Sequence, residues 1–382
     1  MKIALVILHA DPARGGAERY TFDLAEALAA QGHQISLIAS TFGPRPTGVT
    51  CVELGEQGLT RLSRYHHFLN SLDAHLTESK YDVVHAMLPI MRCDIYHPHA
   101  GIAAQAIITG HLKHAGFVKR FLSSIANRFN PRRNEFARVE KKLLTSANPP
   151  VVLCLSEYVK AMVRRNYPTL PENCLVTLFN AVDLAKYDLT AGPGAGDTIR
   201  QKYQIAKDAV VALMVAQDFG RKGLAQTITA LGQIDQPNLV LLVVGKDNAE
   251  PFKRQAIRNG VDQRVKFAGG TTDVYSFYSA ANFFVLPTRH DPCSLVVLEA
   301  LAMGLPVIST KQNGACEIMT NSVHGFVLPS ADDAEGLVRA MKELCDTTNR
   351  AQMREACLTL RSRLAWEEHL NTLLELYSKI ER

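Results

Sequence analysis

One pattern, used twice, limits this chain to a small set of folds. Near the N-terminus an apolar run from Ile3 to Leu8 leads into a polar loop ending in Gly15-Gly16. A helix-forming segment from Ala17 to Gln31 follows, closed by Gly32, and a second apolar run spans Gln34 to Ala39. The same order restarts at Ala209. An apolar run to Ala216 gives way to the loop Gln217-Asp218-Phe219-Gly220-Arg221-Lys222-Gly223, then a helical segment from Leu224 to Ile234, then a run from Leu239 to Val244. Each set reads as strand, glycine loop, helix, strand. A crossover helix between two strands makes those strands parallel. The chain has 382 residues, more than one core usually serves. Together these features predict an α/β protein of two Rossmann-like domains facing one another, with the active site in the inter-domain cleft. The Gly/Pro-rich run TAGPGAGD falls in the boundary region, and the expected domains are 1–183 and 184–365, followed by a C-terminal helix over 366–382.

Within the second domain the stretch TRHDPCSLVVLEALAMGLP, residues 288–306, carries the densest chemistry. The run Phe283 to Leu286 before it reads as a buried parallel strand. Ser294 stands where a helix N-cap is needed, and Gly304-Leu305-Pro306 stops the helix. Backbone N–H groups of Leu295 and Val296 at such a helix start suit a phosphate, and the carboxylates of Asp291 and Glu299 suit sugar hydroxyls. Taken alone, the stretch fits a capped core helix with two solvated acids equally well. The Gly15-Gly16 loop also hands a strand over to a helix, but it is not G-x-G-x-x-G, so it does not argue for a dinucleotide. His97 and His99 follow a short strand end in the first domain, where ligands bind in α/β sheets. A pair of hydrogen-bonded loop histidines is the competing account.

Charge is distributed unevenly. The whole chain is net +5, too mild to argue for nucleic acid. Residues 113–142 alone hold nine Lys and Arg against Glu135 and Glu140. Phe117, Phe121, Leu122, Ile125 and Phe129 recur among them at helical spacing, so a basic helical insertion is expected over 102–145. Such a segment suits an anionic membrane surface, here through 103–142, or a phosphorylated acceptor. The apolar run at the N-terminus is too short for a signal peptide, and no stretch has the length of a membrane span. The eight cysteines are scattered without a C-x-x-C pair, which predicts reduced thiols in the cytoplasm and no zinc site.

These residues resemble the retaining glycosyltransferases of family 4, which have the GT-B fold. The family's signature, an acid, seven residues, then Glu-Ala, matches Asp291 and Glu299-Ala300. The likeness extends to Gly15-Gly16-Ala17-Glu18, Asn180-Ala181-Val182-Asp183, the Arg221-Lys222-Gly223 loop and the C-terminal segment from Trp366, so it covers nearly the whole chain. The DFGRKG loop and the basic insertion are most similar to members that place glucose on the heptose of a lipopolysaccharide core. The resemblance implies that Arg221 and Lys222 hold a donor diphosphate and Glu299 the ribose. It places Asp291 at the transferred sugar, with His97 or His99 beside it. Gly15, Gly16, Gly245, Leu295 and Val296 would approach the nucleotide sugar. It also implies a C-terminal helix crossing back onto the first domain.

Asp291 is one methylene shorter than the family's glutamate and precedes Pro292, so the hydroxyl it reaches is left open. No D-x-D occurs, and the expected chemistry needs neither metal nor cofactor beyond a UDP-sugar substrate. The expected activity is transfer of a hexose, glucose from UDP-glucose, to a lipopolysaccharide-type or glycolipid acceptor. That places the protein peripherally on the cytoplasmic membrane face. Two alternatives are a soluble transferase making a free glycoside and a non-catalytic nucleotide-sugar-binding protein.

Overall fold

The structure is a computed structural model that describes residues 1–99, 101–105, 130–190 and 194–380. The chain divides into two compact units. Among the described residues the first holds 1–105, 130–179 and 369–380, and the second holds 180–368.

The first unit is built on strands β1 (Lys2–Val6), β2 (His9–Ala10), β3 (Gln34–Ala39), β4 (Thr41–Phe42), β5 (Thr50–Glu53), β6 (Val83–Ala86), β7 (Ile95–Tyr96), β8 (Val151–Cys154) and β9 (Leu175–Thr177). Seven form one sheet in the order β5-β3-β1-β6-β7-β8-β9, while β2 pairs with β4 separately. Every pairing is parallel. Ile3, Ala4, Leu5 and Val6 are fully buried, as a central strand covered on both faces requires. From β1 the chain builds outward through β3 and β5, then returns to the other side of β1 with β6. Ligands of open α/β sheets bind at that reversal, beyond the carboxyl ends of the strands.

The second unit repeats the plan with β10 (Val210–Val215), β11 (Leu239–Val244), β12 (Val265–Gly269), β13 (Phe283–Val285), β14 (Val307–Thr310) and β15 (Gly325–Leu328), in the order β12-β11-β10-β13-β14-β15. Its reversal lies between β10 and β13. The loop bearing Arg221 and Lys222 follows β10, and the loop bearing Asp291 follows β13. Topology alone thus brings together residues about seventy positions apart.

The C-terminal helix Trp366–Ser378 buries His369, Leu370, Leu373 and Tyr377, and from His369 onward it belongs to the first unit. Arg132, Arg133, Arg138, Lys141 and Lys142 lie on the helix Pro131–Leu144, which buries Val139, Glu140, Leu143 and Leu144. Its Phe136 ring stacks on Tyr65 at 4.1 Å. The other bases of the expected insertion (Lys113, Lys119, Arg120 and Arg128), with Phe117, Phe121, Leu122, Ile125 and Phe129, lie outside the described residues.

Candidate active site

In the second unit three loops are tied into one cluster. Asp218 organises the first of them. Its carboxylate accepts from the Arg221 backbone N–H at 3.1 Å and from Arg221 Nε at 3.2 Å. Arg221 Nη1 donates to the His290 carbonyl at 2.9 Å, and the Arg221 carbonyl accepts from the Arg289 N–H at 2.9 Å. Gly223 ends the loop with φ of +86°, and a Cβ there would stand 2.2 Å from the Pro287 carbonyl oxygen. Only glycine permits that approach. Gly245, at the end of β11, is equally forced, because a Cβ would lie 1.8 Å from the Ala216 carbonyl.

Lys222 Nζ is joined to Asp291 Oδ2, and both side chains are about nine-tenths buried. Burial alone would raise the Asp291 pKa, but the ammonium of Lys222, the guanidinium of Arg221 and a hydrogen bond from Ser294 outweigh it and hold the carboxyl below its usual range. Burial lowers the Lys222 pKa, with Arg221 pulling the same way and Asp291 opposing. His290, pressed among these charges, falls to about 4, chiefly through burial. An ammonium has three donors, so the bond to Asp291 does not exhaust Lys222.

Ser294 departs from expectation. It occupies the N-cap position of the helix Leu295–Ala302, but its side chain makes no cap hydrogen bond. The hydroxyl is drawn to Asp291 instead, and the Ser294 N–H donates to Asn313 Oδ1 at 3.2 Å. The helix carrying Leu295 and Val296 therefore starts without a side-chain cap. One turn on, Glu299 Oε2 accepts from the Tyr278 hydroxyl at 2.8 Å, which fixes the carboxylate on a half-buried face.

The first unit has a different character. Gly15 caps the helix Gly16–Ala30 in extended backbone, again with no side-chain cap bond. One turn along that helix the buried Tyr20 ring lies 4.1 Å from the ring of His99 and 5.4 Å from that of His97. His97 Nδ1 is 3.1 Å from His85 Nε2, and His85 Nδ1 is 2.7 Å from the Tyr377 hydroxyl. The Tyr20 hydroxyl is 2.7 Å from His369 Nε2. Burial holds all four histidines below their ordinary pKa, to about 3 for His85 and about 4 for His369. His97 Nε2 and His99 Nε2 are buried without a hydrogen-bond partner.

Among the described residues, no three His, Cys, Asp or Glu side chains gather in a group that could hold a metal ion. No helix among them is long and apolar enough to cross a membrane.

Residues 14–186 match the family model described as Glycosyltransferase Family 4, and residues 196–358 match that of Glycosyl transferases group 1. The lipopolysaccharide glucosyltransferase WaaG of Escherichia coli K12 is 25% identical over 375 residues, covering 96% of this chain and 94% of that protein. The chain belongs to glycosyltransferase family 4. Its two parallel-sheet units match solved GT-B structures. A crystal structure of WaaG superposes with a TM-score of 0.82 at 22% identity, covering 99% of this chain and 100% of that one. Sucrose-phosphate synthase of Thermosynechococcus elongatus gives 0.78 at 21% identity over 99% and 98%. Anabaena HepE, solved in complex with UDP-glucose, gives 0.72 at 18% identity over the full length of both chains.

Several side chains of this family 4 protein gave no signal in the sequence. Glu140, a counter-charge among bases on sequence grounds, is fully buried. Its carboxylate accepts from Tyr96 at 2.5 Å, Tyr167 at 2.8 Å, and the backbone N–H groups of Ala103 at 2.7 Å and Ala104 at 3.0 Å. It thereby holds both ends of the loop that carries His97 and His99. His85 and Tyr377 are polar residues among apolar ones and Tyr20 is one aromatic of an amphipathic helix, and ordinary core packing is the usual explanation for each. Asn313 and His290 sit in loops with no pattern of their own.

Proposed function

We propose that this family 4 glycosyltransferase moves a hexose from a UDP-sugar, glucose in the first place, with retention of configuration. The acceptor is a lipopolysaccharide-core or glycolipid saccharide at the cytoplasmic face of the membrane. The observation that carries this reading is the buried Lys222–Asp291 pair, with Arg221 hydrogen-bonded to the same segment and an uncapped helix start three residues on. Breaking a sugar–diphosphate bond leaves an electron-poor sugar carbon and a strongly anionic leaving group. A guanidinium, an ammonium and open N–H groups stabilise the leaving group, and a carboxylate suits the sugar. Arg221, Lys222 and the N–H groups of Leu295 and Val296 take the diphosphate in this scheme. Glu299 takes the ribose, and Asp291 the transferred sugar. Gly223 and Gly245 keep the backbone close behind the loop. His97 and His99 take hydroxyls of the sugar, beside the start of the Gly15-Gly16 helix. The departing phosphate oxygen accepts the acceptor's proton, so no protein nucleophile is required.

The acceptor class draws support from the 25% identity to WaaG over nearly the full chain. Exposed Arg138, Lys141 and Lys142 add support as bases that would meet an anionic lipid surface or a phosphorylated acceptor. The test is a transfer assay of the full chain with UDP-glucose, UDP-galactose and UDP-N-acetylglucosamine. Heptose-bearing lipopolysaccharide core and free monosaccharides serve as acceptors, with and without EDTA. Transfer from UDP-glucose to the core, unchanged by EDTA and yielding an α-glycoside, is the expected result. Transfer only to free sugars, an inverted product, or loss of activity in EDTA with rescue by Mg²⁺ would each overturn the corresponding part.

A further inference from the structure

The histidine cluster of the first unit has a hydrogen-bond polarity that can be worked out from its partners. Tyr377, His85 and His97 form a chain in which every member is at most 2% exposed. The two links are Tyr377 Oη to His85 Nδ1 at 2.7 Å and His85 Nε2 to His97 Nδ1 at 3.1 Å. A neutral imidazole carries one proton, so each ring donates through one nitrogen and accepts through the other. His85 is neutral, since burial takes its pKa down to about 3. The protons can therefore run in only two directions.

If His97 donated to His85 and His85 to Tyr377, the phenol would serve only as acceptor. Its own hydrogen would then be buried without a partner, beside an equally unpartnered lone pair on His97 Nε2. If Tyr377 donates to His85 and His85 to His97, both links form and the phenol's hydrogen is used. A single group is then left over, the N–H at His97 Nε2, a buried nitrogen with no protein partner. One orphan costs less than two, and burial holds the Tyr377 hydroxyl protonated as the donor this direction needs. A parallel arrangement stands beside it. His369 Nδ1 lies 2.8 Å from the Phe179 carbonyl, which can only accept, so His369 must take its other hydrogen bond from Tyr20.

We infer that Tyr377, on the C-terminal helix, sets the tautomer of His97 through His85, so that His97 presents an Nε2–H donor to a ligand oxygen and does not act as a base. Tyr377 and His85 are positioning residues in this scheme. The inference rests on the proposed reading that His97 meets the transferred sugar, and it narrows the ligand group to a hydroxyl or ring oxygen able to accept. It also accounts for a tyrosine 280 positions from the histidine it controls, carried on the last helix of the chain.

The test is a histidine ¹⁵N spectrum of the full chain without ligand, with His97 assigned by its loss in His97→Gln. The expected spectrum shows His97 protonated at Nε2 and bare at Nδ1 from pH 6 to 8. Tyr377→Phe keeps the ring and removes the donor, so His97 should become a mixture of tautomers. Turnover with UDP-glucose should fall about tenfold, with a smaller change in KM, the size of one misdirected hydrogen bond. A wild-type His97 protonated at Nδ1, or a tautomer unmoved by Tyr377→Phe, overturns the inference. Should Tyr377→Phe fail to fold, the wild-type spectrum still decides. The proposed site stands or falls separately. The expected tautomer together with full turnover of His97→Gln and His97→Ala would remove His97 from the sugar site and leave the relay as a structural feature.

Discussion

The two units of this glycosyltransferase share one topology but build their sites from opposite materials. At the reversal of the second sheet sit full charges, with Arg221 held by Asp218 and Lys222 joined to Asp291. Near the reversal of the first sheet sit neutral imidazoles and phenols, with burial holding every histidine below its ordinary pKa. A dianionic leaving group calls for fixed cations, which suits the second unit. Hydroxyl groups call for neutral donors of defined direction, which suits the first. In the proposed scheme the same strand–loop–helix plan serves two chemistries through the side chains placed beyond the strand ends.

The contrast is broken most severely at Lys222. Lys222→Ala removes a cation from the developing phosphate charge and should lower kcat by about 10²–10³. It also leaves Asp291 buried and unpaired, so stability should drop by roughly 3–5 kcal/mol in denaturant unfolding. Near-normal turnover would make the pair a strut of the fold.

Glu140 is a fully buried carboxyl near the neutral site, and Glu140→Ala strands two phenols and two backbone N–H groups. A loss on the order of 3 kcal/mol is expected, with faster proteolysis around 97–104 as the histidine loop loosens. An unchanged melting temperature would mean that the clamp adds nothing.

The neutral cluster should also show itself in pH dependence. A histidine whose folded pKa lies below its unfolded value stabilises the protein fully above about pH 6.5 and loses that contribution as pH falls toward the folded pKa. For His85 and His369 that window runs from about 6.5 down to about 3 and about 4. Unfolding free energy should fall by about 2 kcal/mol in all from pH 7 to 5 for each histidine kept neutral, the slope steepening toward about 1.4 kcal/mol per unit below pH 6. A flat profile would show that the imidazoles titrate normally.

Glu299→Ala should have the smallest effect, raising KM for the donor about tenfold and changing kcat less, because a ribose contact is made equally in ground and transition states. A pure kcat effect would move Glu299 to the reacting end.

The fold was legible because its signals are local. Apolar runs of four to six residues alternating with glycine loops and amphipathic helices leave few topologies, and the cores of β1, β10 and β13 lie where the runs do. The charged site was half legible. Arg221, Lys222, Asp291 and Glu299 stand out as polar residues in motif positions, but the bond between Lys222 and Asp291 spans 69 positions and is set by the neighbouring β10 and β13. Ser294 occupies the N-cap position the sequence suggests, but the cap rule considers only the helix ahead of it and not the carboxylate three residues behind, which takes its hydroxyl. The neutral site was nearly illegible. His85 sits in the run Val83-Val84-His85-Ala86, and Glu140 in a stretch of bases, so pattern reasoning treats one as core and the other as solvated.

The central claim is that the Lys222–Asp291 pair exists for transfer and that its contribution to folding is incidental. The double variant Lys222→Ala with Asp291→Ala tests it most directly, since removing both charges avoids the unpaired one. Unfolding and UDP-glucose turnover would be measured on the same sample. The account predicts stability recovered to within about 2 kcal/mol of wild type, with turnover still reduced at least ~100-fold. A stable double variant with near wild-type turnover would contradict it.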